Sequence, residues 1–217
     1  MTARRTSTCP QCGRSPAADP ATNGLCSACL LATAASIDDP PFPYDVLAPM
    51  EEDPRGITYL ARRNAAGSDL FVALKVVGAA EGEAVLTRFA ACKPALERLR
   101  HPGAGKVIDA GPTADGSVYI ASDYVAGSPL SEMVARGPLE PGDRVDLARQ
   151  MTEAVVAAHA AGVVHLQLDA SKVKVSTAGG LRASIVGFGL SVIADGRVGG
   201  PDIDVQALEA LIRRLGL

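Results

Sequence analysis

Two β-rich runs, the mixed ITYLARR (57–63) and the almost wholly apolar LFVALKVVG (70–78), flank the turn-forming stretch NAAGSD. Two such runs on either side of an Asn/Gly/Asp cluster predict an antiparallel hairpin. Next, EAVLTRFAACKPALERLR (83–100) spaces its apolar residues as a helix, and Pro94 within it predicts a kink or a split. GKVIDAGPTADGSVYIASDYV (105–125) reads as two further strands around a Gly/Pro/Asp turn. Helical spacing then takes over in SPLSEMVARG (128–137) and DRVDLARQMTEAVVAAHAAG (143–162). A second hairpin, VKVSTAGGLRASIVG (173–187), and a last helix, DVQALEALIRRLG (204–216), complete the pattern. Strands concentrated in the first half and helices in the second predict an α+β domain beginning at Tyr44. Between helix and hairpin lies GVVHLQLDASKVKV (162–175), a tight loop carrying His165, Gln167 and Asp169. Such loops are where chemistry is often placed.

Composition adds limits. A chain of 217 residues has room for one ordinary domain and a small appendage. Residues 1–32 are loop-like, and the Pro- and Asp-rich stretch around 33–43 reads as a linker. Hydrophobic residues make up 47% of the chain and charged ones 21%, which suffices for a buried core. Trp is absent, so Ala, Val and Leu must do most of the packing. The net charge of −3 argues against nucleic acid or an anionic membrane as a partner. The chain holds no apolar run of the roughly 18 residues needed to span a bilayer. Its first residues lack the apolar segment of a secretory signal, so a reducing, cytoplasmic location is expected.

Four of the five cysteines fall in residues 1–32, as Cys9-x2-Cys12 and, after thirteen residues, Cys26-x2-Cys29. Each Cys-x2-Cys turn presents two thiolates on one side of a knuckle, and four such ligands suit tetrahedral zinc. The alternatives are two disulfides, which a reducing compartment disfavours, or four unrelated thiols, for which the paired spacing has no reason. A structural zinc ribbon with four cysteine ligands is the expectation.

The order of motifs from Tyr44 onward resembles that of a protein kinase. VALKVV around Lys75 resembles the third strand of the kinase N-lobe, and LRHPG (99–103) the turn after the helix that follows it. YIASDYVAGSPLSEMV (119–134) is similar to the fifth strand and hinge. HLQLDASKVKV (165–175) stands where kinases carry H-R-D-L-K-P-S-N-I-L-V, and VGFGL (186–190) where they carry D-F-G-L. DVQALEALI begins with Asp204 as the acid that would brace the catalytic loop. With the ribbon ahead of it, the arrangement resembles bacterial serine/threonine kinases. The implied fold is protein-kinase-like over 44–217, with an N-lobe at about 44–122 and a shortened C-lobe at about 126–217.

The same resemblance implies that the chemistry is lost. Kinase catalysis needs a carboxylate for the hydroxyl nucleophile and oxygen ligands for magnesium at the triphosphate. Gln167 falls at the base position and has no carboxylate; Asp169 falls at the family's lysine. Lys172 replaces the metal-binding asparagine and Gly187 the aspartate of D-F-G, so magnesium is not expected. In the phosphate loop, Glu51, Asp53 and Gly56 take the glycine positions. Acids there would oppose a polyanion by roughly 2 to 4 kcal/mol per pair at an effective dielectric near 20, which disfavours ATP.

Lys75 keeps its place, either snorkelling from its strand or closing onto Glu51, Glu52 or Asp53. Its glutamate partner would fall on Cys92, with Glu97 a turn away. Cys92 reads as a small buried hydrophobe, or as a thiol whose pKa a lysine lowers. His165, His101 and His159 read as structural. The apolar side of the last helix (Val205, Leu208, Leu211, Ile212, Leu215) would pack on the long helix before the loop or on a partner. The expected function is a catalytically inactive, regulatory or scaffolding module that binds another protein, an active kinase or a second copy of the chain. The alternatives are an unconventional phosphoryl or nucleotidyl transferase using Lys75 and Lys172 on ATP, with Asp169 orienting the acceptor, and a non-hydrolysing nucleotide sensor.

Overall fold

The structure is a computed structural model that describes residues 43–53, 56–64, 70–113 and 115–217. Cys9, Cys12, Cys26, Cys29 and the linker at 33–42 lie outside the described residues.

The first β-rich runs form β2 (Gly56–Arg63) and β3 (Phe71–Val77), antiparallel, with Thr58 opposite Lys75. β1 (Tyr44–Asp53) pairs antiparallel with β2. Along β3 the two-residue period sends Val72 and Leu74 to one face, where they join Tyr44, Tyr59 and Tyr119 in a small core. Lys75 and Val77 point to the other face, toward helix α1 (Ala79–Arg98).

α1 continues through Pro94 as one helix, so the expectation of a split is not met. Pro94 and Ala90 both lie on its exposed face, so the carbonyl that the proline deprives of a partner is left to water. Gly82, Val85, Phe89 and Leu96 form the buried stripe. The last carbonyls of the helix are taken by Lys106, whose Nζ donates to Leu96 O and, at 2.7 Å, to Leu99 O.

Lys106 belongs to β4 (Ala104–Pro112), which pairs antiparallel with β5 (Val118–Asp123). β4 also pairs in parallel with β8 (Arg182–Phe188), which pairs antiparallel with β7 (Val173–Ser176) in the expected second hairpin. Through β4 the sheet continues in the order β1-β2-β3-β5-β4-β8-β7-β6, where β6 is Ser128–Pro129. Helices α2 (Leu130–Arg136), α3 (Pro141–Ala160), α4 (Leu190–Asp195) and α5 (Pro201–Arg214) complete the domain. Leu147, Met151, Ala154, Val155 and Ala158 on α3 join the main core. Leu208, Leu211 and Leu215 are buried in that same core, so the last helix packs on α3; Val205 stays exposed. Gln150 of α3 fixes the hairpin by donating to Leu181 O and accepting from Ala183 N. Among the described residues no helix is long and apolar enough to cross a membrane.

Candidate functional site

The loop between α3 and β7 is held from below by Asp204, the fully buried acid near the start of α5. One carboxylate oxygen accepts from His165 N at 2.7 Å and from His159 Nε2 at 2.9 Å; the other accepts from Leu166 N at 2.6 Å. These bonds hold Leu166 at φ 61°, a left-handed conformation that costs a leucine on the order of 1–3 kcal/mol. His165 is braced twice more. Its Nε2 donates to Val186 O at 2.9 Å, and Nδ1 accepts from Gln167 N at 3.3 Å, which sets the tautomer. Its ring lies edge-on to Phe188, with centroids 5.3 Å apart. Burial pushes the imidazole below its ordinary pKa, against the opposing pull of the Val186 carbonyl and Asp204.

Above this scaffold stand the groups that face the cleft. Gln167 is engaged from the side. With its amide oriented to satisfy both ends, its oxygen accepts from Arg197 Nη2 at 2.7 Å and Nε at 2.9 Å, and its nitrogen donates to Ser191 Oγ at 3.0 Å. Ser191 sits on α4, a helix of one and a half turns that starts just after β8. Arg88 of α1 holds the end of α4 by donating to Ile193 O at 2.8 Å and Ala194 O at 3.3 Å. The segment after VGFGL is thus tied to α1 on one side and to Gln167 on the other.

Asp169 is turned into the loop, where one oxygen accepts from both the backbone N and the Oγ of Ser171 at 2.6 Å. Burial raises its pKa, but the Ser171 hydrogen bonds and Lys172 together hold it below the usual range. Lys172 reaches across the cleft to Glu51 of β1 at 3.3 Å. Glu51 of the acid-bearing strand thus closes onto Lys172. Gly187 adopts φ +96°, which an L side chain rarely takes, so an aspartate could not replace it on this backbone without strain.

The resulting cleft has a volume of about 300 Å³, within the usual size for a small-ligand site. Lys75, Lys172, Lys174 and Arg197 line it, along with Glu51, Asp123 and Asp195. Tyr124 and Val125 of the hinge form its rim. Lys75 is buried, and a smaller adjoining hollow places it on one wall with Glu81 and Asp195. Neither Cys92 nor Glu97 lines these walls. Cys92 is half-buried and packs against the core, where burial pushes its thiol pKa up, so the lysine-lowered thiol is not realised.

Gly187 has no side-chain oxygen, Lys172 is a cation, and among the described residues no three His, Cys, Asp or Glu side chains converge. The sequence reading singled out Gln167, Asp169, Lys172 and Gly187; Gln167, Lys172 and Gly187 line the cleft, and Asp169 is not among its walls. It missed Arg197, Ser191, Asp195 and Lys174. The first three stand in the stretch after VGFGL, which shows neither motif nor clear period.

No family model matches the chain. The serine/threonine-protein kinase pkn3 of Myxococcus xanthus is 32% identical over 165 residues, which cover 74% of this chain and 30% of pkn3. The chain is a homologue of bacterial serine/threonine protein kinases. A second M. xanthus kinase, pkn2, is 28% identical over 161 residues, 70% of this homologue and 18% of pkn2. The homologue thus spans less than a third of either relative. The solved kinase domain of PknI from Mycobacterium tuberculosis superposes with a TM-score of 0.62 at 25% identity, covering 80% of this chain and 73% of that one. The fold is protein-kinase-like.

Proposed function

We propose that this kinase homologue does not transfer phosphoryl groups and acts as a regulatory or scaffolding module that binds another protein. The observation that carries the reading is Gly187, which offers no side-chain oxygen to the cleft at the position where the family's metal-binding aspartate would fall. Gln167, engaged by Arg197 and Ser191, supports it from the base position. Asp169 is occupied by Ser171, which weighs against the transferase in which it would orient an acceptor. The intact brace of Asp204, His165 and Phe188 supports a role that needs the fold but not turnover. In this reading Cys9, Cys12, Cys26 and Cys29 hold a structural zinc, and the partner is an active kinase or a second copy of the chain.

The test has two arms. Label from γ-labelled ATP, with magnesium and a generic basic substrate, should appear no faster with the full chain than with its Lys75→Met variant. A rate that falls with that substitution would overturn the inactive reading. Turnover by active kinases from the same organism should change when the chain is added; no change with any of them, together with a monomeric chain in solution, would overturn the regulatory reading. A second reading, nucleotide sensing without turnover, is favoured by the open cleft with Lys75 inside it and the hinge at its rim.

A further inference from the structure

The turn after α2 and the last residues of α5 enclose a second hollow, of about 200 Å³, that shares no residue with the cleft. Arg214 closes α5, and the rise along the helix from Asp204 to it is about 15 Å. Val134, Leu139 and the buried Leu215 supply the apolar lining; the charged walls are Arg144 and Arg214, with no acid among them. Arg144 is half-buried and fixed, its Nε donating to Leu139 O at 2.7 Å. Gly216, at φ +82°, passes so close that a Cβ there would stand 2.9 Å from Arg144 Nη1. A glycine at this point lets the end of α5 lie against the guanidinium. That group has five N–H donors, and the bond to Leu139 uses only one. Glu140 and Asp143 neighbour Arg144 in the chain but do not line the hollow. Among the described residues neither arginine forms an ion pair, whereas the adjacent Arg213 pairs with Glu209 at 3.7 Å. Arg144 also stands in the first turn of α3, the end of a helix that already carries partial positive charge. Two guanidiniums so placed favour an anion, and a carboxylate matches their paired donors. The aliphatic wall beside them would be left uncovered by a bare phosphate. The volume falls below the roughly 300–1,000 Å³ of sites that enclose a whole small ligand, and suits one anchoring residue of a larger one. A carboxylate and an aliphatic side chain on the same carbon occur together in the last residue of a polypeptide.

We propose that this hollow is the docking site for the C-terminus of a partner polypeptide that ends in an aliphatic residue. The terminal carboxylate lies between Arg144 and Arg214, and the last side chain covers Leu139 and Leu215. The inference rests on the reading of the chain as a protein-binding module and names the surface and the chemistry of that contact. An internal Asp or Glu of the partner would satisfy the arginines but leave the leucines bare, so the site selects a chain end.

The experiment passes two pools of hexapeptides, randomised at their last three positions, over the immobilised full chain. One pool carries free terminal carboxylates and the other is amidated. Peptides retained from the first should end in Leu, Ile, Val or Met, and the amidated pool should be retained at least tenfold less. In calorimetry with the best-retained peptide, Arg144→Gln and Arg214→Gln should each weaken binding tenfold or more. Arg144→Gln gives up the bond to Leu139 and risks the fold; Arg214 is exposed, so Arg214→Gln keeps the test open, and thermal melts check both. Arg136→Gln, which removes an exposed charge paired with Glu132 outside the hollow, should bind as wild type. N-acetyl-leucine should bind at least tenfold more weakly than the peptide. No retention, equal retention of the amidated pool, or indifference to the last residue would each overturn the proposal. So would N-acetyl-leucine binding as tightly as the peptide, which would make the ligand a free carboxylic acid, or an Arg214→Gln chain that binds like wild type. Turnover of active kinases in the presence of the chain reads the proposed function separately. Peptide capture by a monomeric chain that alters no kinase would sink the regulatory reading alone, and altered turnover with no peptide captured would sink this one alone.

Discussion

Removing the Asp204 carboxylate tests whether the loop depends on one buried acid. The side chain is fully buried and accepts from two backbone N–H groups and one imidazole N–H, all within 2.9 Å. Asp204→Ala leaves His165 N and Leu166 N without an acceptor in the core, and each orphaned donor costs about 1–3 kcal/mol. The total loss should be about 3–5 kcal/mol, as for one half of a buried charged pair. That is a large part of a domain's usual stability of about 5–15 kcal/mol. At about 2–4 °C per kcal/mol for a chain of this size, melting should fall by roughly 6–20 °C. Leu166 adds to the effect, because without the carboxylate nothing offsets its left-handed backbone. Asp204→Asn keeps one carbonyl oxygen and should lose less. Asp45→Asn, which breaks a pair with Arg62 that is about half exposed on both sides, should cost less than about 1 kcal/mol and serves as the control. Urea unfolding and thermal melts read all three. An Asp204→Ala protein that melts within about 2 °C of wild type would refute the reasoning, because two orphaned buried donors cannot cost so little.

Two further outcomes follow from the same structure and from the proposed ribbon. His165 is held neutral by burial, so its folded-state pKa lies below the ordinary value near 6.5. Its contribution to stability is then fully present above about pH 6.5 and is lost as pH falls through the folded value. Proton NMR of the ring should show no titration midpoint at or above 6.5, and a midpoint there would contradict the bracing described for the loop. Metal analysis of the purified full chain should find one zinc per molecule, and Cys9→Ser with Cys12→Ser should abolish it; metal-free protein would remove the ribbon.

Much of the fold was legible because its signals are local. The β-rich composition of ITYLARR and LFVALKVVG and the turn cluster between them depend only on near neighbours, and those runs form β2 and β3. VKVSTAGGLRASIVG likewise becomes the β7–β8 hairpin. α4 was not legible. It spans only Leu190–Asp195, too short to show a helical period or to stand by itself, and it persists here because Arg88 takes its last free carbonyls. Pro94 misled for a related reason. A proline's cost depends on whether the deprived carbonyl meets water, and which face of α1 is wet is settled by what packs on the other side.

At the candidate site the division is sharper. Residue identities at the site were decided by the sequence alone: a glutamine and a glycine where the family's chemistry needs carboxylates, and a lysine where it needs an asparagine, whatever the fold does with them. Their partners were decided by tertiary structure. Both Lys75 and Lys172 line the same cleft, and it is the closure of β1 over the loop that brings Glu51 to Lys172. Arg197 has no sequence signal, yet it reaches Gln167 because α4 turns the chain back across the cleft. Charge and hydrogen-bonding capacity are properties of a side chain and can be read from its letter. Which opposite charge lies within 4 Å depends on contacts between residues far apart in the chain, and those exist only once the core has packed.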